Sequence, residues 1–327
     1  MFRIRTLSRR AAALLSALLV PAALAAQSPS SGAAAGPPTG DAVTVGNMPI
    51  RVVLLTMGPG DAVWERFGHN AIWIQDLNTG VNLAYNYGMF DFRQENFFLN
   101  FAKGKMRYWM QGFDPSAMID FYMRQNRSIW AQELDLTPRQ AAELSAFLQW
   151  NAREENRFYR YDYFRDNCST RVRDALDRVL GGAIRAATEN TPSGATFRWH
   201  TARLIGYGAG DVPIYTGIMG GLGPAADRPI SRYEETFLPM KLRDAVRRMQ
   251  VRDETGGMVP LVRNERQIFA ATRPPEPEAP PKWTLGYLLA GMALAGVLAV
   301  LGIRSRRSRG ARAGFAALGG LWLLFAG

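Results

Sequence analysis

The sequence predicts a mixed α+β fold, because extended and helical patterns share one stretch of chain and two of the extended segments are joined by a tight turn. Residues 50–56 are a short apolar run typical of a buried strand, and a short helix is expected over residues 61–67. Residues 70–76 and 81–87 flank Leu77-Asn78-Thr79-Gly80, a turn with the asparagine and glycine that a hairpin needs. Strands that include a hairpin, mixed with helices, indicate the α+β class.

Helical patterns follow the hairpin. Residues 115–125 have a helical pattern, and residues 128–136 have an extended one. Thr137 is a good N-cap, Pro138 suits the first helical position and Gln140 can cap in return, so a helix is predicted from there to about residue 155.

The net charge of +11 is concentrated at the two ends of the chain. Residues 1–25 supply four of the eleven charges and residues 283–327 supply five, which leaves +2 for residues 26–282. A region so close to neutral does not have the basic surface of a nucleic-acid-binding protein. One cysteine and two histidines also argue against a disulfide framework and a metal centre, so neither a metal nor another cofactor is expected.

The composition divides the chain into successive segments. An arginine-rich start and an apolar run with small residues at its end are typical of a secretory signal peptide, whether exported by the general or the twin-arginine route. Twenty-one uncharged residues, 283–303, are long enough to span a bilayer. Arginines follow them directly, and positively charged segments next to a membrane span usually face the cytoplasm, so this end of the span is expected on the cytoplasmic side. The predicted segments are a signal peptide (1–25), a disordered linker (26–47), an exported folded domain (48–272), a proline-rich linker (273–282), a transmembrane helix (283–303), a cytoplasmic basic loop (304–312) and the start of a second, truncated transmembrane helix (313–327).

Cys168 is the strongest candidate for chemistry. It lies in the first turn of a predicted helix that Asn167 or Asp166 caps and Gly181-Gly182 ends. Backbone N–H groups and the helix dipole at that position are expected to lower the thiol pKa. A buried structural cysteine is the alternative, but an unpaired thiol in an oxidising compartment favours a functional role.

A thiol nucleophile needs a base, and the candidates are the two histidines. His69 follows Phe67-Gly68 at the entry to a hairpin strand, which would hold its imidazole rigidly. His200 lies beside Trp199 at a predicted loop-to-helix junction, where a structural role is expected. His69 is therefore the predicted base.

Four blocks of sequence in a fixed order resemble the Lnb-type periplasmic domain, which is associated with bacterial lipoprotein N-acylation. The order of histidine before cysteine also resembles the circularly permuted branch of the NlpC/P60 papain-like superfamily. The resemblance covers about residues 50–250 and implies a permuted papain-like fold with Cys168 as nucleophile, His69 as base and Asn86 as the residue that orients the histidine. The blocks are Phe67-Gly68-His69, Tyr85-Asn86-Tyr87-Gly88 with Phe90-Asp91-Phe92, Asp166-Asn167-Cys168-Ser169-Thr170-Arg171, and Asp227-Arg228-Pro229 with Phe237-Leu238-Pro239.

Acyl transfer fits these residues. The thiolate would take an acyl chain from a phospholipid, and the N-terminal amine of a lipoprotein would then attack the thioester, at the periplasmic face of the bacterial inner membrane. The N–H groups of Cys168 and Ser169 are expected to hold the oxyanion. Two alternatives stay open: a cysteine amidase or peptidase acting on cell-wall peptide, and a binding domain without catalysis.

Other features have simpler interpretations. Arg107, Arg124, Arg127 and Arg157 can contact lipid phosphates but are expected to be solvated or paired. The glycines of residues 217–223 match no nucleotide-binding loop and are expected to form turns.

Overall fold

A computed structural model describes residues 50–326, apart from residues 92, 95–99, 101–104 and 106. The predicted signal peptide (1–25) and disordered linker (26–47) lie outside the described residues. The chain divides into two compact units. Unit 1 contains the residues up to Phe197 together with Pro229–Pro275, and unit 2 contains Arg198–Arg228 together with Glu276–Gly327.

Unit 1 is built on a seven-stranded sheet with the order β11-β5-β1-β2-β3-β4-β6, in which all neighbouring strands are antiparallel. Two small sheets pair β7 with β8 and β9 with β10. The strands are β1 (Ile50–Met57), β2 (His69–Asp76), β3 (Val81–Met89), β4 (Arg107–Phe113), β5 (Ile129–Leu134), β6 (Phe158–Arg160), β7 (Pro192–Thr196), β8 (Pro229–Ser231), β9 (Gln250–Arg252), β10 (Met258–Pro260) and β11 (Val262–Phe269).

Helices cover both faces of this sheet, which confirms the α+β class. The α-helices of the whole described chain are α1 (Pro115–Arg124), α2 (Pro138–Asn151), α3 (Cys168–Val179), α4 (Ala183–Thr188), α5 (Phe197–Ile205), α6 (Val212–Gly221), α7 (Arg232–Glu235), α8 (Pro239–Arg248), α9 (Thr284–Ser305) and α10 (Arg309–Ala326).

The core of unit 1 has two layers, one on each face of the sheet. Alternate residues of β1 point to opposite faces, and both sets are buried. On one face the strands pack against α2, α3 and α8 through residues such as Leu144 and Leu176. On the other face they pack against α1 through Met118. The central strands are therefore apolar on both sides, as the run at residues 50–56 suggested.

The hairpin and the helix caps form where the sequence predicts them. Asp76 Oδ1 accepts a hydrogen bond from the backbone N–H of Asn78 at 2.9 Å, and Gly80 has a φ of +75°, so the turn between β2 and β3 needs its glycine. Thr137 and Gln140 form a reciprocal capping box at the start of α2. The helix expected over residues 61–67 is only a 3-10 turn, Val63–Glu65.

Unit 2 contains α6, α9 and α10. Among the described residues, α9 is the one helix long and apolar enough to cross a membrane. The proline-rich segment before it does not run free, because Arg203 of α5 donates a hydrogen bond to the carbonyl of Pro277 at 2.8 Å and pairs with Glu276 at 3.1 Å. After α9, residues 306–308 lead directly into α10.

Candidate active site

The thiol site begins with the N-terminus of α3, whose first residue is Cys168. Of the two candidate caps, Asn167 is the one used: its Oδ1 accepts hydrogen bonds from the N–H groups of Ser169 and Thr170, both at 2.9 Å. Thr170 Oγ1 accepts in return from the N–H of Asn167 at 2.8 Å. The reciprocal cap fixes the first turn and therefore the position of the thiol.

The thiol is buried against the start of β2 and the end of β3. Cys168 is 9% exposed, and the backbone N–H of Asn70, the residue that follows His69, favours its thiolate form and so acts to lower its pKa. On β3, Gly88 has a φ of +90°, and a Cβ there would lie 3.4 Å from the Cβ of Cys168. The backbone conformation at this position therefore requires a glycine, and a side chain there would be in contact with the cysteine.

His69 is hydrogen-bonded to Asn86, the residue that the family resemblance implies as its partner. The side chains of His69 and Asn86 meet across β2 and β3, with Nε2 2.9 Å from Oδ1. Asn86 Nδ2 donates to the carbonyl of Ala84 at 2.9 Å, so its Oδ1 faces the ring and Nε2 is the protonated nitrogen. Nδ1 then carries the lone pair that a general base needs.

An aromatic ring fixes the imidazole from the side. Tyr122 of α1 stacks on His69 with the ring centroids 6.2 Å apart and the planes within 16°. The guanidinium of Arg127 lies over the ring of Tyr122, 4.6 Å from its centre. Imidazole, phenol and guanidinium thus form one stack beside the thiol.

Arg127 is a buried cation that sequence reasoning placed among the solvated or paired arginines. It is 3% exposed, donates from Nε to the carbonyl of Gly58 at 2.9 Å, and lies 3.7 Å from a carboxylate oxygen of Glu65. Its charge lowers the pKa of both His69 and Cys168. It acts on the electrostatics of the site rather than presenting itself to a lipid phosphate in the described conformation.

A buried polar network joins the nucleophile's helix to the histidine's strand. Ser169 Oγ lies 2.9 Å from Asn70 Oδ1 and 2.7 Å from the carbonyl of Thr236, and Asn70 Nδ2 donates to Thr56 Oγ1 at 2.9 Å. All four residues are buried. The sequence analysis did not predict this network. The signal for it in the sequence was a polar residue directly after each candidate, Asn70 after His69 and Ser169 after Cys168.

The pKa shifts make both candidate groups neutral at rest. Burial raises the pKa of Cys168 to about 11, although N–H groups from Asn70 and Ser169 oppose the shift. Burial lowers the pKa of His69 to about 4, and Arg127 contributes in the same direction. The prediction of a lowered thiol pKa is therefore wrong, because removal of the sulfur from water outweighs the helix N-terminus.

The oxyanion site also differs from the prediction. The N–H of Ser169 donates to the side chain of Asn167 as part of the helix cap, so the cap already uses one of the two expected donors. The conflict follows from the choice of cap, because an asparagine N-cap accepts hydrogen bonds from the N–H groups of the first turn.

The second histidine lies in unit 2. The side chain of His200 in α5 is buried, and its Nδ1 accepts a hydrogen bond from Arg203 Nε at 3.1 Å. That nitrogen is occupied by a permanent cation, as expected of a structural histidine. Within the described part of the chain, no group of three or more histidine, cysteine or acidic residues is arranged to hold a metal ion.

Aromatic rings from β4 and from the segments after β3 and β6 pack together near the thiol. Tyr108 stacks on Tyr161 with the ring centroids 4.1 Å apart, Phe90 packs against Tyr108 at 5.2 Å, and Tyr163 meets Tyr161 edge-on at 5.3 Å. Charge on Cys168 would raise the pKa of both Tyr108 and Tyr161, which places these two phenols near the sulfur.

Taken together, an α+β unit with a cysteine at a helix N-terminus and a histidine–asparagine pair on adjoining strands, in a chain that also has a membrane-length apolar helix, defines a membrane-anchored protein with a candidate thiol site. Residues 44–205 match the family model of the Lnb N-terminal periplasmic domain, so this part of the chain is an Lnb-type periplasmic domain. The match includes His69, Asn86 and Cys168. No curated protein and no solved structure matches the chain.

Proposed function

We propose that this protein is a lipoprotein N-acyltransferase that carries the acyl chain on Cys168 as a thioester. The proposal rests on the placement of the thiol and the histidine: Ser169, next to Cys168, donates a hydrogen bond to Asn70, next to His69, at 2.9 Å, and Nε2 of His69 is committed to Asn86. The Lnb family supports an acyltransferase-related function for the domain.

The first half-reaction forms the thioester. Neutral His69 takes the thiol proton at Nδ1 as the sulfur of Cys168 attacks the ester carbonyl of a phospholipid. The tetrahedral intermediate then breaks its bond to the glycerol oxygen, which receives the proton from the imidazolium. The products are acyl-Cys168 and a lysophospholipid.

The second half-reaction forms the amide. The neutral α-amine of a lipoprotein attacks the thioester carbonyl, and the sulfur leaves as thiolate. His69 accepts a proton from the attacking nitrogen and returns it to the sulfur, so the resting thiol and imidazole are regenerated. Amines attack a thioester more readily than an oxygen ester, which is the chemical reason for the covalent intermediate.

Neutral resting groups suit a thiol enzyme in the periplasm. The thiolate is the species that reacts with oxidants and disulfides, and a thiol pKa of about 11 keeps its population small. Ionisation then occurs only when His69 removes the proton in the presence of an electrophile. The same burial that raises the thiol pKa thus protects a cysteine that forms no disulfide.

Location favours lipid substrates. A helix long enough to cross a bilayer follows the proline-rich segment 273–282, whose ten residues extend about 30 Å as polyproline, so the preceding domain cannot reach far from a membrane. We place the protein in the bacterial inner membrane, where phospholipid and newly processed lipoprotein are both present. This restricted reach also makes a cell-wall peptide a less suitable substrate.

Intact-mass spectrometry of the purified full chain tests the proposal. Incubation with phospholipid alone should add one acyl mass, which neutral hydroxylamine removes, and the Cys168→Ala variant should gain none. Addition of a diacylated lipoprotein should discharge the acyl-enzyme and add the same mass to the lipoprotein.

Two results would contradict the proposal. Cleavage of murein peptides without any acyl adduct would identify a cysteine amidase or peptidase. Absence of both reactions in a protein that is folded and binds lipid would favour a domain without catalysis.

A further inference from the structure

The helix α6 in unit 2 is apolar but unburied. None of its ten residues is charged, none of its side chains is buried, and Ile214 is 46% exposed. The sequence had suggested turns for its glycine-rich end, yet the helix runs through Gly217 and Gly220 to Gly221. Water is a poor environment for such a surface, because an exposed apolar helix contributes no burial to its own stability.

Polar contacts, rather than burial, hold this helix in place. Arg198 donates to the carbonyls of Met219 and Leu222, at or beside the C-terminus of α6, and Asp227 pairs with the same guanidinium. At least one carbonyl that the helix end leaves open therefore has a fixed partner. The apolar side chains are presented outward by a helix whose end is anchored.

The helix α6 contacts the first turn of the membrane-length helix α9. Thr216 Oγ1 lies 2.6 Å from the hydroxyl of Tyr287 in α9. Trp283, the residue before α9, donates from its indole to the carbonyl of Gly206 at 3.0 Å. Tryptophan and tyrosine at the end of a spanning helix are typical of the membrane–water interface.

We propose that α6 is a membrane-binding element that lies in the interfacial layer of the bilayer leaflet entered by the start of α9. Ten residues of helix extend about 15 Å, so α6 is too short to span the hydrocarbon and suits an orientation along the surface. The occupant of its open face is lipid, because the hydrogen bond to Tyr287 places that face at the depth of an interfacial tyrosine and no charge on α6 opposes insertion.

Fluorescence of the full chain in phospholipid vesicles tests this inference without any measurement of activity. In a Cys168→Ala background, which removes the natural thiol, Ile214→Cys is labelled with an environment-sensitive dye. Gly220→Cys provides a second position, where an added side chain meets no atom within 4 Å. Glu254→Cys, in the charged turn between β9 and β10, is the aqueous control, and Val297→Cys in α9 is the lipid control.

Labels at residues 214 and 220 should emit at shorter wavelength than the label at residue 254. Spin-labelled lipid with the quencher near the headgroup should quench them several-fold more than lipid with a deep quencher, whereas the label at residue 297 should show the reverse order. Emission equal to that of the aqueous control would overturn the inference. Blue-shifted emission without lipid quenching would mean that protein, such as a second copy, covers α6, and would also overturn it. Neither result depends on whether Cys168 forms a thioester.

Discussion

The hydrogen bonds of the two histidines differ in whether they leave a ring nitrogen available to accept a proton. In unit 1, His69 gives its Nε2 hydrogen to the neutral amide oxygen of Asn86, and Nδ1 keeps its lone pair. In unit 2, His200 gives its Nδ1 lone pair to the guanidinium of Arg203. An amide acceptor orients an imidazole without consuming its basicity, whereas an arginine consumes it.

The hydrogen-bond partner of a histidine is a better guide to its role than its burial. His200 is the more deeply buried of the two, and an interior position would fit either a structural or a catalytic residue. The partner atoms decide, because a base needs one nitrogen free of hydrogen and free of a competing donor.

The largest effect is expected at the thiol that His69 serves. Cys168→Ser should lower acyl transfer by about 10³-fold or more, since a hydroxyl is a far poorer nucleophile at neutral pH. Transfer is measured by intact mass of the lipoprotein, and the thermal unfolding curve checks that the variant is folded. A folded serine variant with normal transfer would disprove the thioester.

Substitution of the two histidines should have different effects, a loss of rate at His69 and a loss of stability at His200. His69→Gln should lower transfer by about 10²–10⁴-fold with little loss of stability, because it removes the base. His200→Leu should leave the rate within a few-fold and lower the free energy of unfolding by about 1–3 kcal/mol, because Arg203 loses a buried acceptor. Chemical denaturation and rate measurements on the same preparations check both, and an equal loss of rate in the two variants would refute the assignment.

A smaller effect is expected from the orienting residue. Asn86→Ala frees the imidazole to rotate and should lower transfer by about tenfold, while leaving the nucleophile intact. Asn86→Asp places a carboxylate beside the ring, favours imidazolium and should raise the pKa of His69 from about 4. The acidic limb of the pH–rate profile should then move to higher pH, and an unchanged limb would show that His69 is not the group that titrates.

The smallest effect concerns stability against acid. Because the pKa of His69 is about 4 in the folded protein and near 6.5 when unfolded, the unfolded chain binds an extra proton between those pH values. Stability contributed by neutral His69 is thus present above pH 6.5 and lost as the pH falls towards 4. The loss should be between about 1 and 3 kcal/mol, and it should be smaller in His69→Gln, as measured by denaturation at pH 7 and pH 4.5. An equal loss of unfolding free energy between pH 7 and pH 4.5 in the two proteins would contradict the lowered pKa of His69.

Local features of the fold were predictable, and contacts between distant segments were not. The hairpin turn at Gly80, the cap at Thr137 and the start of α3 depend on residues only a few positions apart. The assignment of Asn86 came from a family resemblance, and the hydrogen bond to His69 agrees with it. The papain-like permutation of the fold stays a prediction.

Burial explains the main errors. Sequence shows that Cys168 begins a helix but not that Gly88 and the rings of Tyr108 and Tyr161 close around it, and the direction of the thiol pKa follows from that enclosure. The contact from Ser169 to Thr236 joins residues 67 positions apart, so no periodic pattern signals it.

The division of unit 1 into two stretches of chain sets the order in which the unit can be completed during synthesis. Residues 198–228 belong to the other unit and are made before Thr236. Until then Ser169 lacks the carbonyl that it binds, and the edge strand β11, which pairs with β5, is made later still. The nascent domain therefore passes through a stage in which Cys168 is present but its enclosure is unfinished. During that interval the sulfur is open to reagents from which the folded domain shields it.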